Sequence, residues 1–179
     1  MSNFLTGKTI NLKLVGESDA EFIYSLRNNN KLNQYLTPSI GTVEDQKKWI
    51  KKYKKRESDG KEYYFLIAKN ERNENIGTVR LYDFRDEEKS FCWGSWILTE
   101  NKTVSSALET ALLVYNYAFN QLGFEKSHFD VRKENKKVVD FHLKLGSRII
   151  QQNDSDYFFV YEKEVFFSKM NTYNKFLVK

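Results

Sequence analysis

The pattern of hydrophobic and polar positions divides the chain into short alternating segments and longer segments with helical spacing. Its first third predicts an edge strand, a helix that opens with a capping box, a short helical continuation, and a second helix with a threonine cap. These elements lie at 8–15, at 18–27, at 32–36 before Pro38, and at 43–57 after Thr42.

The rest of the chain predicts four more strands, two more helices and a final hairpin. The strands lie at 63–68, 76–84, 91–98 and 126–132, the helices at 104–122 and 136–145, and the hairpin at 148–152 and 157–167. The helix at 104–122 has the strongest periodicity in the chain. Its apolar residues recur at spacings of three and four, at Val104, Leu108, Ala111, Leu112, Tyr115, Phe119 and Leu122.

This order of elements predicts a mixed sheet with helices on both sides, and therefore an α/β fold. A length of 179 residues is typical of one domain, so we expect a single domain over 1–179. The chain contains 14 Phe and 11 Tyr, which predicts an aromatic-rich core.

Composition limits the compartment and the metal chemistry. No apolar run reaches the roughly 20 residues that span a bilayer, and the first residues lack the pattern of a signal peptide. The single cysteine, Cys92, excludes an internal disulfide framework, so we expect a cytoplasmic protein. One cysteine and two histidines, His128 and His142, are too few for a typical zinc site, and no metal is expected.

The net charge of +5 raises the question of an anionic partner. The densest basic run is KKWIKKYKKR, from Lys47 to Arg56. Trp49, Ile50 and Tyr53 share one helical face within it, so the lysines occupy the solvated faces and do not indicate a nucleic-acid site. An anionic small-molecule substrate or cofactor accounts better for the charge.

The segment from Phe91 to Gly146 carries the chemical argument. An apolar strand passes through a polar turn into the N-terminus of the long helix. Phosphate groups bind at such a junction because the first N–H groups of a helix have no partner within it.

Together with ALETALLVYNYAF (107–119) after the turn, this order resembles the GNAT family of acetyl-CoA-dependent N-acetyltransferases. The resemblance implies a splayed, mostly antiparallel sheet in which the backbone of Ile97, Leu98 and Thr99 binds the pantetheine arm. It places the family's pyrophosphate signature, Q/R-x-x-G-x-G/A, on Lys102, Thr103, Val104, Ser105, Ser106 and Ala107. Lys102 and Ser105 depart from that signature, and Ala107 fits it.

The segment ENKKVVDFHLKLGS matches a second pattern of the family, N-x-x-A-I-x-x-Y-x-K-x-G-F. The resemblance implies that Asn135 binds the cofactor and that His142, in the tyrosine position, is the general acid. As a protonated donor, His142 would pass a proton to the departing CoA thiolate; the alternative is a buried structural histidine. The general base is open among ordered water, Asp83, Glu88 and Glu109, because Cys92 occupies the position where relatives carry Glu.

The first helices set the substrate in this architecture, so Arg27, Asn28, Tyr35 and Trp49 are the candidate substrate-binding residues. Phrases such as SLRNN and FHLKLG resemble the branch that acetylates the 4-amino group of nucleotide-linked 6-deoxy sugars. The alternatives are acetylation of protein N-terminal amines, of the ribosomal-protein type, and a non-catalytic acyl-CoA-binding module. Whether two copies form a homodimer stays open.

Overall fold

The computed structural model describes residues 4–36 and 41–177, so Pro38 lies outside the described residues. Eight strands form one sheet, and five α-helices pack on it. The strands are β1 Phe4–Thr6, β2 Ile10–Leu14, β3 Tyr63–Lys69, β4 Asn75–Arg85, β5 Ser90–Leu98, β6 Lys126–Arg132, β7 Arg148–Gln152 and β8 Asp156–Glu162. The helices are α1 Ala20–Arg27, α2 Val43–Ser58, α3 Ser106–Asn116, α4 Lys136–Leu145 and α5 Lys163–Tyr173.

The strand order is β1-β2-β3-β4-β5-β6-β8-β7, and all neighbours are antiparallel except β5 and β6. The parallel pair results from the crossover through α3, because parallel neighbours need a long connection. Sheet, helices and strand directions confirm the mixed, mostly antiparallel architecture predicted from the sequence.

Two hydrophobic clusters cover the two faces of the sheet. The smaller one joins α1 and α2 to β3 through Ile23, Ile50 and Tyr64. The larger one holds α3, α4 and α5 and is rich in aromatic side chains, as expected. At its centre the fully buried Tyr115 accepts a hydrogen bond of 2.9 Å from Nε1 of Trp93.

The helix starts are set by local hydrogen bonds. Thr42 caps α2, as the sequence predicted, and its N–H donates a bond of 2.9 Å to Oδ2 of Asp45, which completes a capping box. The capping box before α1 was placed on the wrong residues. The N–H of Gly16 donates to Asp19, and a 3₁₀ turn at Glu17–Asp19 leads into α1.

The two ends of the chain were also predicted incompletely. The edge strand is the short β1, and the segment predicted as an edge, now β2, lies inside the sheet. The predicted strand 157–167 ends at Glu162 and becomes α5. The strand at 8–15 was predicted from its alternation, but three residues of β1 are too few to show a period.

Two further predictions in this region need correction. Val104 is fully exposed, because α3 begins only at Ser106. The predicted helical continuation at 32–36 consists of turns. Within the described ranges, no helix combines the length and apolar character needed to cross a membrane.

Close approach of β4 and β5 depends on Gly77. A Cβ at this position would lie 2.1 Å from the carbonyl oxygen of Ile97, which is backbone and cannot rotate away. Gly16, by contrast, has an extended φ of −119° and no neighbour closer than 3.7 Å.

We therefore expect Gly77→Ala to lower the free energy of unfolding by about 3 kcal/mol, because β5 must move away from β4. Urea denaturation measures this loss. Gly16→Ala is the matched control and should change stability by less than about 1 kcal/mol. Equal stability of the two variants would contradict the close approach.

Candidate active site

A V-shaped cleft opens where β5 and β6 separate. The two strands pair only at Ser90 with Lys126 and at Phe91 with Ser127, and both continue beyond those positions. A cavity of about 740 Å³ occupies the opening. Its walls are β5, β6 and the start of α4, together with parts of the α1–α2 and β7–β8 connections.

A β-bulge shapes the β5 wall of this cleft. Arg80 pairs with Gly94 and Thr78 with Ile97, so β5 has one more residue than β4 across this interval. Ser95, within the bulge, has a φ of +46°, and its carbonyl accepts a hydrogen bond of 3.0 Å from Oγ1 of Thr78. The bulge thus turns Ser95 and Trp96 toward the cleft, and both line the cavity.

His142 lies in the wall of the cavity among aromatic rings. Its ring centroid is 4.3 Å from that of Phe129 and 5.5 Å from that of Trp93. Burial lowers the pKa of His142 to about 3. The imidazole is therefore neutral at neutral pH, and the protonated donor expected from the sequence is disfavoured because an apolar site penalises its charge.

Several polar atoms along this region are buried and have no hydrogen-bond partner among the described residues. They are Nδ1 of His142, Nε1 of Trp96 and Oγ1 of Thr99. Buried polar groups are normally satisfied, so these atoms are available to water or to a ligand. Asn135 also lines the cavity, at the N-cap of α4.

One backbone N–H in the segment 97–99 is already hydrogen-bonded within the sheet. The N–H of Thr99 donates to the carbonyl of Ile76 at 2.8 Å, so it is not available to a cofactor. Successive residues of a strand point their backbone groups in opposite directions. The backbone of Leu98 therefore faces away from β4, on the side of β5 that borders β6, but Ile97, Leu98 and Thr99 are not in the lining of the cleft cavity.

The turn before α3 is held by hydrogen bonds among its own side chains. The buried carboxylate of Glu109 accepts bonds from the N–H and Oγ1 of Thr9, at 2.8 and 2.7 Å, and from Oγ of Ser105 at 2.5 Å. Thr103 and Ser106 share a further bond of 2.8 Å. Glu109 is thus structural, and the Ser105 hydroxyl points inward. Lys102 and Val104 are exposed, and none of 102–107 lines the cleft cavity.

The predicted substrate residues separate into two groups. Tyr35 lines the cleft cavity, whereas Arg27 and Trp49 line a second cavity of about 510 Å³ between α1, α2 and the sheet. Ser95 borders both cavities. Asn28 lines neither, since its Nδ2 donates to the carbonyl of Tyr24 at the end of α1.

Two candidate general bases, Asp83 and Glu88, bond to side chains near the closed end of the V-shaped cleft. Asp83 accepts a bond of 2.9 Å from His128, whose other ring nitrogen bonds Ser90 at the closed end. Glu88 is 3.8 Å from both Arg85 and Lys126. Neither carboxylate lines the cleft cavity.

Asp130 of β6 does line the cavity and was missed from the sequence. Its charge helps to raise the pKa of Cys92 to about 11, although burial of the thiol is the larger cause. The alternation Phe129, Asp130, Val131 was the available signal, since it places the carboxylate on the opposite face from two buried side chains.

Comparison with known proteins decides the family. The model of the acetyltransferase (GNAT) domain matches residues 9–148. The chain belongs to the GNAT family of acetyltransferases.

Individual relatives agree with this assignment. A structure described as "Apo FdhC- a nucleotide-linked sugar GNAT" superposes with a TM-score of 0.92, at 50% identity over 98% of both chains. The "Probable N-acetyltransferase YjcK" of Bacillus subtilis is 28% identical over 137 residues, or 73% of this chain and 76% of that protein. Spermidine N-acetyltransferase from Vibrio cholerae, in complex with CoA and spermine, has a TM-score of 0.75 at 19% identity, over 89% of this chain and 98% of that one.

These findings confirm the family, the GNAT fold and the acetyltransferase class expected from the sequence. The family uses acetyl-CoA. The cleft suits such a ligand in two ways: the backbone of Leu98 is not bonded to β4, and Trp96 and His142, which line the cavity, each have a buried polar atom without a partner among the described residues.

The burial of His142 predicts acid sensitivity of the GNAT domain. The unfolded chain binds a proton on this ring below a pH of about 6.5, whereas the folded protein does so only near pH 3. Because the unfolded state binds more protons in this window, the free energy of unfolding falls as the pH falls. We expect His142 to account for a loss of about 2 kcal/mol between pH 7 and pH 5.

Urea denaturation at the two pH values measures the loss. His142→Gln has no titratable ring, so it should lose about 2 kcal/mol less on acidification than the unmodified protein. If both proteins lose the same amount, the folded-state pKa of His142 is not lowered.

Proposed function

We propose that this GNAT protein transfers the acetyl group of acetyl-CoA to a primary amine of a nucleotide-linked amino-deoxy sugar, with the 4-amino group as the specific acceptor. The observation that carries the proposal is the pair of cavities that share Ser95. One follows the splayed strands, as a thioester site must, and the other is lined by basic and aromatic side chains. The 50% identity with a nucleotide-linked sugar GNAT supports the same substrate class.

The cofactor would occupy the cleft, bound by the backbone of Ile97 and Leu98, by Asn135, and by the turn from Lys102 to Ala107 at the open end of β5. When bound, acetyl-CoA supplies an acetyl group as a thioester, which the substrate amine attacks directly. Lys102 contributes a positive charge to its phosphates, and the start of α3 contributes N–H groups. The amide of Thr99 is already bonded to Ile76, so the hydroxyl of Thr99 would make the polar contact to the cofactor instead.

Three groups on the cleft walls would perform the chemistry. The N–H of Leu98 donates to the acetyl carbonyl oxygen, where negative charge develops. Neutral His142 donates a hydrogen bond from a ring N–H to the departing sulfur. It does not transfer a proton as an imidazolium would, because it carries no positive charge at neutral pH. Asp130 accepts the proton of the attacking amine.

Asp130 is suited to this role by its position. Cys92, whose pKa is raised to about 11, is a neutral thiol where many relatives have a glutamate. The charge of Asp130 reaches Cys92 and Tyr82 from β6, so it supplies negative charge to the same region of the cleft. A carboxylate there also attracts the ammonium form of the substrate.

No comparable observation supports the second candidate function, which is acetylation of protein N-terminal amines. A peptide amine carries a positive charge, whereas Arg27, Lys48, Lys52 and Arg80 line the second cavity. The same basic wall disfavours polyamines.

A thiol-release assay with acetyl-CoA tests the proposed function. The panel contains nucleotide-linked 4-amino and 3-amino sugars, the free amino sugars, an N-terminal peptide and spermidine. We expect turnover of the nucleotide-linked 4-amino sugar with a kcat/KM at least about 100-fold above that of the free sugar, because the nucleotide supplies binding energy. Preferred acetylation of the peptide or spermidine, or CoA binding without turnover on any amine, would refute the proposal.

Asp130→Asn tests the proton acceptor. It should lower kcat about 100-fold, since general base catalysis typically contributes that much or more. Asp140→Asn, an equal change at an exposed position of α4 outside the cavity, is the control and should leave kcat unchanged. A kcat within twofold of the unmodified enzyme would assign the proton to water instead.

A further inference from the structure

We propose that the second cavity binds the nucleoside diphosphate portion of the substrate through Arg27, Lys48, Lys52 and Arg80. This inference rests on the proposed function, since it assigns the two parts of the substrate to the two cavities. The lysines and Arg80 were not among the residues selected from the sequence.

Four cationic side chains converge on this cavity from three elements. Arg27 ends α1, Lys48 and Lys52 lie one turn apart on α2, and Arg80 comes from β4. Burial raises the pKa of Tyr64 between them, while the charges of Arg27 and Arg80 oppose the rise, so both guanidinium groups lie near its hydroxyl. Cations gathered in one concave site indicate an anionic ligand of more than one charge.

Among the described residues, the one carboxylate in the same wall, Asp45, is bound to the start of α2. Asp45 accepts bonds of 2.9 Å from both the N–H and Oγ1 of Thr42, and these bonds lower its pKa. Its ion pair with Lys48 is long, at 3.8 Å, and exposed. Asp45 therefore serves the start of α2, and its single negative charge leaves the four cations of the lining in excess.

Arg80 is oriented toward a ligand by its surroundings. Its Nε donates to Glu62, a buried carboxylate that also accepts a bond of 2.6 Å from Nε of Arg56. The Arg80 guanidinium lies 5.2 Å from the ring centroid of Trp49 and 4.8 Å from that of Tyr82. These contacts fix its plane, and within the described part of the chain its two terminal nitrogens have no hydrogen-bond partner. A planar guanidinium with both terminal nitrogens available matches a phosphate group.

The position of the second cavity relative to the cleft determines the orientation in which the substrate would bind. Both cavities meet at Ser95, beside the bulge that turns β5 toward the cleft. A sugar that extends from a diphosphate bound at Arg80 therefore reaches the cleft at Ser95. A cavity of about 510 Å³ also lies within the usual range for ligand sites of this size.

The phosphates of CoA do not account for this site. The turn from Lys102 to Ala107, where the cofactor pyrophosphate is proposed to bind, lies beyond the end of β5 at Leu98 and has no residue in the lining of the second cavity. The two sets of cations are therefore separate, and each can be altered without the other.

Calorimetric titration of the unmodified protein with UDP, dTDP, uridine, thymidine and CoA tests the inference without any need for turnover. We expect one UDP or dTDP site that weakens as KCl rises from about 50 to about 500 mM, because charge screening affects the cations. The nucleosides, which lack phosphate, should bind at least about tenfold more weakly. The double variant Lys48→Ala/Lys52→Ala should weaken the diphosphates about tenfold and leave CoA unchanged.

Matched variants separate the two sites. The double variant Lys51→Ala/Lys55→Ala removes the same two charges from exposed positions of α2 outside the cavity, so it should leave every titration unchanged. Lys102→Glu should weaken CoA and spare the diphosphates. Arg80→Lys keeps the charge but not the planar fork, and it should weaken the diphosphates while the protein stays folded.

Unchanged diphosphate binding in Lys48→Ala/Lys52→Ala would overturn the inference, as would an equal loss of CoA binding in that variant, which would assign the cavity to the cofactor. The proposed function fails by a different result, namely no acetylation of nucleotide-linked amino sugars in the thiol-release assay. Diphosphate binding that depends on these lysines would still be measurable in that case, so the two failures are distinguishable.

Discussion

The separation of β5 from β6 is the constraint on which the rest of the site depends. The two strands pair at only two positions and then diverge, so the facing edges of a central strand pair are left open. Unpaired strand edges present N–H and C=O groups that a third extended chain can use. In most sheets such an unpaired edge can pair with another chain and cause aggregation. Here the edge lies inside the molecule, where only a slender ligand can reach it. The cleft therefore begins where the pairing of β5 with β6 ends.

Aromatic packing keeps the two strands apart. His142 of α4 contacts Trp93 on β5, Phe129 on β6 and Phe159 on β8, so one ring bridges both arms of the V. Trp93 is anchored in turn by its hydrogen bond to Tyr115 of α3. Close-packed rings resist collapse because filling the space differently would require several of them to leave their rotamers. The same packing removes water from His142 and so determines its charge state. The same aromatic packing thus supports the separation of the strands and keeps His142 neutral.

The sequence predicted the parts of the fold that have a clear period or a clear cap. Thr42 predicted the start of α2, and the spacing of Leu108, Ala111 and Tyr115 predicted α3. It failed where an element is too short for a period, as in β1, or where tertiary contacts decide, as at the end of β8. For the site, sequence patterns selected Asn135 and His142, which both line the cleft cavity, but could not give the pKa of His142, because burial depends on rings that are distant in the chain. Arg80 and Asp130 were missed for a related reason: a charged residue in an alternating strand is ordinarily a solvated one, and only the assembled sheet shows what it faces.

The turn from Lys102 to Ala107 departs from the family signature at Ser105, and its conformation explains why a residue other than glycine fits there. Ser105 has φ of −96° and ψ of −5°, a conformation open to any L-residue, so its backbone does not require the glycine of the family signature. What fixes the turn is Glu109, whose buried carboxylate binds Ser105 and the β1–β2 connection together. The glycine that this arrangement does require is Gly7, where a Cβ would lie 2.6 Å from Oε2 of Glu109. Because the Ser105 hydroxyl turns inward, the outer surface of the turn is left to backbone and to Lys102, the groups that the proposed pyrophosphate site would use. The constraint has therefore moved from a flexible residue inside the turn to a side-chain network beneath it, which a search for the signature alone would not detect.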